Sequence, residues 1–262
     1  MEIWQAIVLG AVQGLAEFLP ISSSGHLILM QRWLGVTEGG LFFDVMLHIG
    51  TLIPIFIVFF KEIIGLFKKP FNKLLWLVVA SIPAALTGLL LADYIEGAFY
   101  GGDELAACLL AGTFLLTAAE LLASEIVQKK YNRDFPLSLK SAAVMGVFQG
   151  VAIVPGLSRS GTVISGGCYM GVNREENANF AFLMSIPVIL GAALVSGYKA
   201  VKNSMTIEVL PIIAGVVTAA VTGYIAIKVM LRVIKKADYK WFSLYLVVMA
   251  AASIITKVAF GV

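Results

Sequence analysis

The chain has 262 residues, of which 60% are hydrophobic and only 13% charged, with a formal net charge of +3. Soluble domains are nearer half apolar and a quarter charged, so this composition excludes an ordinary soluble protein and points to an integral membrane protein. A charge this small gives no reason to expect nucleic acid as a partner, and suits basic loops on one face of a membrane. No Lys/Arg-led apolar segment with a small-residue cleavage site opens the sequence, so no removable signal peptide is expected.

In chain order, residues 3–35 are apolar but are interrupted at Pro20 and a Ser22-Ser23-Ser24-Gly25 loop. Crossing the hydrocarbon takes about 20 consecutive apolar residues. Neither half of 3–35 spans comfortably, and a re-entrant hairpin of half-helices is expected, buried in protein or lining a polar cavity. Full spans are expected at 41–60, 74–92 and 104–122; a second interrupted region lies at 139–170, and spans at 178–198, 207–228 and 241–260 follow. The predicted fold is an all-α polytopic membrane protein, a single domain over 1–262, with six transmembrane helices and two re-entrant broken-helix hairpins.

The connections at 61–73 (Lys61, Lys68, Lys69, Lys73), 123–140 (Lys129, Lys130, Arg133, Lys140) and 229–240 (Arg232, Lys235, Lys236, Lys240) are basic. Around 93–103 the chain carries Asp93, Glu96, Asp103 and Glu104 with no basic residue. The positive-inside rule puts the three basic connections in the cytoplasm and the acidic one outside, with both termini outside. The first hairpin then enters from outside and the second from inside. Lys199 and Lys202 fall outside, against the trend.

The two interrupted regions are versions of one sequence. Residues 10–26 and 146–162 align without a gap at a shift of 136 positions. Gly10, Gln13, Gly14, Ala16, Ser22, Ser24 and Gly25 meet Gly146, Gln149, Gly150, Ala152, Ser158, Ser160 and Gly161. Glu17 faces Ile153, Ser23 faces Arg159 and His26 faces Thr162. With opposite predicted orientations, 1–122 and 139–262 read as inverted-topology repeats, an arrangement that builds its site at the repeat interface.

Gln13 and Glu17, four apart, share a helix face. Both Ser/Gly loops lead into a helix N-terminus, whose free N–H groups and dipole favour an anion; Arg159, a planar multi-donor cation, makes phosphate the preferred one. The candidate substrate-binding positions are Gln13, Ser22, Ser24, Gly25, Ser158, Ser160, Gly161 and Thr162, with Glu17, Ser23, His26 and Arg159 as catalytic candidates. A carboxylate beside a phosphate repels it unless a divalent cation lies between them or it serves as acid or base, so Glu17 with Gln13 is the candidate site for Mg²⁺ or Ca²⁺. Plainer roles compete. Ser22 and Ser24 suit helix caps, His26 could be a satisfied core histidine, and Arg159 could only balance Glu17. Gln13 and Gln149 read as bonding between helices, and Asp44 and His48 as support for the site. Glu62, Glu120, Glu125, Glu175 and Glu176 read as solvated at span ends or in loops. Cys108 and Cys168 read as core packing.

Gln13-Gly-Leu-Ala-Glu17-Phe-Leu-Pro-Ile-Ser-Ser-Ser-Gly-His26 and Pro155-Gly-Leu-Ser-Arg159-Ser-Gly resemble the signature motifs of bacterial undecaprenyl-diphosphate phosphatases, the bacitracin-resistance family. The likeness takes in Phe43-Asp-Val-Met-Leu-His48-Ile-Gly-Thr51 and Ile164-Ser-Gly-Gly167. It implies hydrolysis of undecaprenyl diphosphate to the monophosphate, recycling the carrier lipid of peptidoglycan synthesis, at the outer face of the bacterial cytoplasmic membrane and with a divalent cation. It also implies that Ser23 and His26 are the catalytic hydroxyl and imidazole, Arg159 the phosphate clamp, and Glu17 and Gln13 the paired acidic positions. Two departures stand out: Gln13 replaces the glutamate of many members, and the usual threonine falls at Val163, one residue after Thr162. Broken-helix inverted repeats are equally a transporter device, so a lipid-phosphate flippase or anion carrier stays open as an alternative, as does a homodimeric assembly.

Overall fold

The computed structural model describes residues 1–36, 40–100, 104–131, 133–204, 208–233 and 238–260. Asp103, Lys235 and Lys236 of the charged connections, position 207 at the start of one expected span, and the side chain of Glu104 lie outside the described residues. The described chain is helical throughout: α1 (Ile3–Phe18), α2 (Ser23–Trp33), α3 (Gly40–Val58), α4 (Phe60–Leu66), α5 (Asn72–Tyr100), α6 (Glu104–Tyr131), α7 (Leu139–Val151), α8 (Arg159–Tyr169), α9 (Arg174–Lys202), α10 (Val209–Val233) and α11 (Lys240–Phe260). Six helices, α3, α5, α6, α9, α10 and α11, are long and apolar enough to cross a membrane. They fall at the six expected spans, and the chain is a multi-pass membrane protein. Several run beyond the apolar stretch that marks them, α5 to Tyr100 and α6 to Tyr131. Polar residues in the last turns are good helix formers, and hydrogen bonding along the backbone continues past the end of the hydrophobic run.

At 1.5 Å per residue, α1 is about 24 Å long and α2 about 17 Å, both short of a hydrocarbon core of about 30 Å. The two interrupted regions form the hairpins α1–α2 and α7–α8, each helix packed on its partner. The aligned glycines explain where the hairpins sit. A β-carbon on Gly10 would lie 2.3 Å from the Gly215 carbonyl oxygen, and one on Gly14 would lie 2.5 Å from that of Ala219, both on α10. In the second copy, β-carbons on Gly146 and Gly150 would come 2.6 Å from the Ala80 oxygen and 3.1 Å from the Pro83 carbonyl carbon of α5. Small residues four apart let two backbones close without a side chain between them, the usual basis of helix contact in lipid. Thus α1 packs on α10 and α7 on α5, each hairpin seated on a span of the other half, while α3 packs on α9 and α6 on α11.

Charge collects at two ends. Lys199 of α9 pairs with Asp93 and with Glu96 at 3.5 Å, so the lysine that runs against the trend is balanced by the acidic connection beside it. At the other end Lys129 joins Glu125 and Asp238, at 3.1 and 3.3 Å. Of the carboxylates read as solvated, Glu125 is buried and Glu120 half-buried, and both hold partners within the protein. Glu125 is 3% exposed and takes Arg174 at 3.1 Å; Glu120 lies well inside α6 and accepts from Thr162 at 2.8 Å. Both sit inward of the helix end because α6 continues beyond its apolar stretch. Cys168 is buried, whereas Cys108 lies on the exposed face of α6.

Candidate active site

The two loops that break the hairpins meet inside the protein, where every backbone polar group needs a partner from the chain itself. Their serines and their histidine supply many of these. Ser22 caps α2 through Gly25 N–H at 3.3 Å, and Ser158 caps α8 through Gly161 N–H at 3.1 Å. Ser160 Oγ donates to the Leu19 carbonyl at 3.0 Å and ties one loop to the other. Thr117 of α6 donates to Gly156 O at 3.2 Å and accepts from Ser158 N–H at 3.1 Å. Gly156 holds φ +87°, with the Thr113 hydroxyl oxygen 1.9 Å from where a β-carbon would stand, so only glycine serves there. Ser22 has φ 69°, a left-handed conformation that costs a non-glycine residue about 1–2 kcal/mol. His26 opposes that cost: its Nδ1 donates to the Ser22 carbonyl at 2.7 Å.

Glu17, at the end of α1, is the centre on which the polar side chains converge. Arg159, the first residue of α8, donates Nη2 to Glu17 Oε1 across the two halves. Ser23, the first residue of α2, donates Oγ to Glu17 Oε2 at 2.6 Å, and Gln13 Nε2 donates to the same oxygen at 3.0 Å. His48 of α3 holds Nε2 3.4 Å from that oxygen. The His48 ring is fixed from behind, with Nδ1 on the Asp44 carbonyl at 2.7 Å. Asp44 in turn accepts from Gln31 at 2.6 Å and from the Tyr100 hydroxyl at 2.8 Å. Glu17, Ser23, Ser24, His48 and Arg159 line one end of a cavity of about 460 Å³. Its walls are small and apolar side chains of α5 and α9, among them Ala84, Gly88, Ala92, Gly191 and Val195, and it reaches Glu96 and Lys199. A hydroxyl on a buried carboxylate, next to a guanidinium and at the end of an apolar channel, is suited to attack a phosphorus atom carried by an apolar chain.

The family model for the bacitracin resistance protein BacA matches residues 6–252. The chain belongs to that family. A Carboxydothermus hydrogenoformans protein named undecaprenyl-diphosphatase is 40% identical over 99% of both chains. Proteins of the same name from Moorella thermoacetica and Methanosphaera stadtmanae are 41% and 39% identical, covering 96% and 98% of this chain and 96% and 99% of their own.

Against the residues singled out in this BacA-family sequence, the structure gathers Gln13, Glu17, Ser23 and Arg159 and adds His48. His26 is elsewhere. It projects from α2 toward α6 and α11, stacked on Tyr245 with ring centroids 5.5 Å apart and edge-on to Phe114. Since Nδ1 must carry the proton given to a carbonyl, Nε2 is the acceptor for the Tyr245 hydroxyl at 2.7 Å, and neither nitrogen is left for a substrate. Ser22, Ser158 and Ser160 are occupied as caps and ties; Thr162 turns to Glu120. Gly25 packs against Phe114 and Gly161 against Pro20. None of these six lines the cavity, whereas Ser24 does. His48 had a signal of its own, as one of only 2 histidines and an ionisable residue inside an apolar span.

The implied divalent cation fits this donor set poorly. Hard cations take six to eight oxygens, or an octahedral shell, built largely on carboxylates. Here Glu17 has Oε1 held by Arg159 and Oε2 already taking Ser23 and Gln13, while Asp44, the nearby carboxylate behind His48, has one oxygen on Gln31 and the other on Tyr100. No group of three His, Cys, Asp or Glu side chains able to hold a metal occurs among the described residues. The residue that would supply a second carboxylate is Gln13, which turns its NH₂ toward Glu17.

Proposed function

We propose that this chain is an undecaprenyl-diphosphatase, converting undecaprenyl diphosphate to undecaprenyl phosphate and inorganic phosphate, an activity that confers bacitracin resistance. The observation that carries the mechanism is the Ser23 hydroxyl, 2.6 Å from Glu17 Oε2 at the polar end of an apolar cavity. Glu17 accepts the Ser23 proton as Oγ bonds to the terminal phosphorus. The bond from that phosphorus to the bridging oxygen breaks, undecaprenyl phosphate leaves, and water then releases phosphate from Ser23. Arg159 keeps Nη2 on Glu17 and offers Nη1, which is buried without a partner among the described residues, to the phosphoryl oxygens. His26 is assigned to holding the left-handed turn at Ser22 that aims Ser23, not to moving protons. The lipid tail leaves between α5 and α9. Purified protein in detergent should release phosphate from a prenyl diphosphate, where no gradient or sidedness exists. A carrier or flippase would release none.

A divalent cation, Mg²⁺ or Ca²⁺, is proposed to arrive on the diphosphate and not to reside on the protein. EDTA should therefore depress turnover, while calorimetric titration of either cation into lipid-free protein should give no stoichiometric binding. A one-to-one isotherm would overturn this.

The hairpins are proposed to be re-entrant from opposite faces, making 1–122 and 139–262 inverted repeats in the bacterial cytoplasmic membrane with the site open to the outside. Both termini are proposed to lie outside; on the N-terminal side the Met1 ammonium pairs with Glu208 at 2.8 Å, next to the connection before α10 that the same orientation puts outside. A single cysteine placed at Asp93 should be labelled from outside in intact cells. One placed at Lys69 or Lys240 should react only after permeabilisation. The reverse pattern would sink this orientation.

A further inference from the structure

Gln149 is the counterpart of Gln13 under the 136-residue shift, yet the two amides meet different fates. Gln13 donates to Glu17, whereas Gln149, 1% exposed, has no partner among the described residues for either Nε2 or Oε1. A buried amide left unbonded on both atoms is rare, because desolvation is not repaid until a partner arrives. Gln149 borders the same cavity as Glu17, Ser23 and Arg159. Its position there is rigid. The flanking Gly146 and Gly150 press α7 onto α5, and Thr87 Oγ1 of α5 donates to Gly150 O at 3.0 Å. Just past the end of α7 the wall becomes apolar, with Ile153 Cδ1 3.6 Å from the β-carbon position of Gly88. Gln149 thus faces the cavity with the polar cluster around Ser23, on the helix that leads to the tail-lining wall.

Resting on the reading of Ser23 as the attacking group, we infer that Gln149 binds the phosphate that stays on the lipid, donating Nε2–H to its oxygens. The terminal phosphate, which must meet Ser23, is left to Arg159. A neutral amide suits this place. It adds a charge-assisted hydrogen bond to the incoming diphosphate without the fixed positive charge that would hold back the monoester product.

The test compares the parent with Gln149→Leu, Gln149→Asn and Ser23→Ala in detergent, reading kcat, KM, thermal unfolding, and inhibition by a short prenyl monophosphate and by inorganic phosphate. Gln149→Leu should raise KM about 10- to 100-fold, the worth of one hydrogen bond to a charged group, with kcat nearly unchanged. Prenyl monophosphate inhibition should weaken by the same factor, and inorganic phosphate inhibition should hold. The unfolding midpoint should stay level or rise, since the substitution removes an unbonded buried amide; a structural amide would lower it. Gln149→Asn keeps an amide in α7 but withdraws it by one methylene, and should show the same KM effect in smaller measure. An unchanged KM in either folded variant overturns the inference, as does weakened inhibition by inorganic phosphate alone. If Ser23→Ala keeps full turnover, the reading of Ser23 fails, and the assignment of the two phosphates fails with it.

Discussion

Ser23→Ala should lower phosphate release on the order of a thousand-fold or more, as loss of a nucleophile that acts as a unit with its base does. That is about 4 kcal/mol of transition-state stabilisation. The folded state should be little altered, because Ser23 caps neither helix and its hydroxyl bonds only Glu17 Oε2, which keeps Gln13 when Ser23 is removed. The neighbouring residues should behave differently. Ser22→Ala removes the cap of α2 and should cost about 1 kcal/mol of stability with most turnover kept. His26→Ala leaves the Ser22 carbonyl with the backbone N–H of residue 26 alone and should loosen the loop, lowering the unfolding midpoint and reducing turnover far less than Ser23→Ala. Phosphate release and thermal unfolding in detergent measure all three. Equal losses of turnover from the three would mean that only the shape of the loop matters, and would remove Ser23 from the chemistry.

Arg159→Lys should reduce turnover about a hundred-fold or more while leaving stability near that of the parent, because charge is kept and the planar fork is lost. The fork is used on two sides. Nη2 holds Glu17 and Nη1 is free for a phosphoryl oxygen, and a single ammonium cannot occupy both places. Arg159→Met is expected to be worse for the fold than for a surface arginine. It leaves the Glu17 carboxylate, whose side chain is 2% exposed, without its counter-charge, a change that costs about 3–5 kcal/mol for a buried pair. Combining it with Glu17→Gln should restore the unfolding midpoint, since the stranded charge is gone, yet leave phosphate release near background. If that double variant kept substantial turnover, Arg159 and Glu17 would be a charge pair alone, and the clamp and the base would both be withdrawn.

Much of the architecture was written in composition and spacing. Six apolar runs became six long helices because, without water, a backbone segment can satisfy its own hydrogen bonds only as a helix, and length and hydropathy then suffice to place it. The two broken regions were legible because Pro20 and Pro155 each stand beside a Ser/Gly loop and the combination stops the helix, whereas Pro54, Pro83 and Pro187, without such a loop, lie inside α3, α5 and α9. Gly10 and Gly14 align with Gly146 and Gly150, and the structure uses both pairs as close-contact surfaces. Helix ends were less legible. Glu120 and Glu125 looked like solvated ends because charge was read as a boundary, whereas the helix ran on and the charges found Thr162 and Arg174.

Sequence by itself determined the membrane class, the doubled helix–loop–helix unit, and the placing of two charges, Glu17 and Arg159, in broken apolar regions where burial is costly without a partner. Only the tertiary structure decided which polar side chains meet. His26 lies three residues from Ser23 and looked like its partner, but α2 packs with this ring against Phe114 of α6 and Tyr245 of α11, which claimed the imidazole. His48, 31 positions beyond Glu17 along the chain, reaches it because α3 packs beside α1, a proximity that no local pattern encodes. Gln13 and Gln149 are the same residue at the same place in the repeat. One has a carboxylate four residues on and the other an isoleucine, so the first amide is satisfied within its own helix and the second is left facing the cavity.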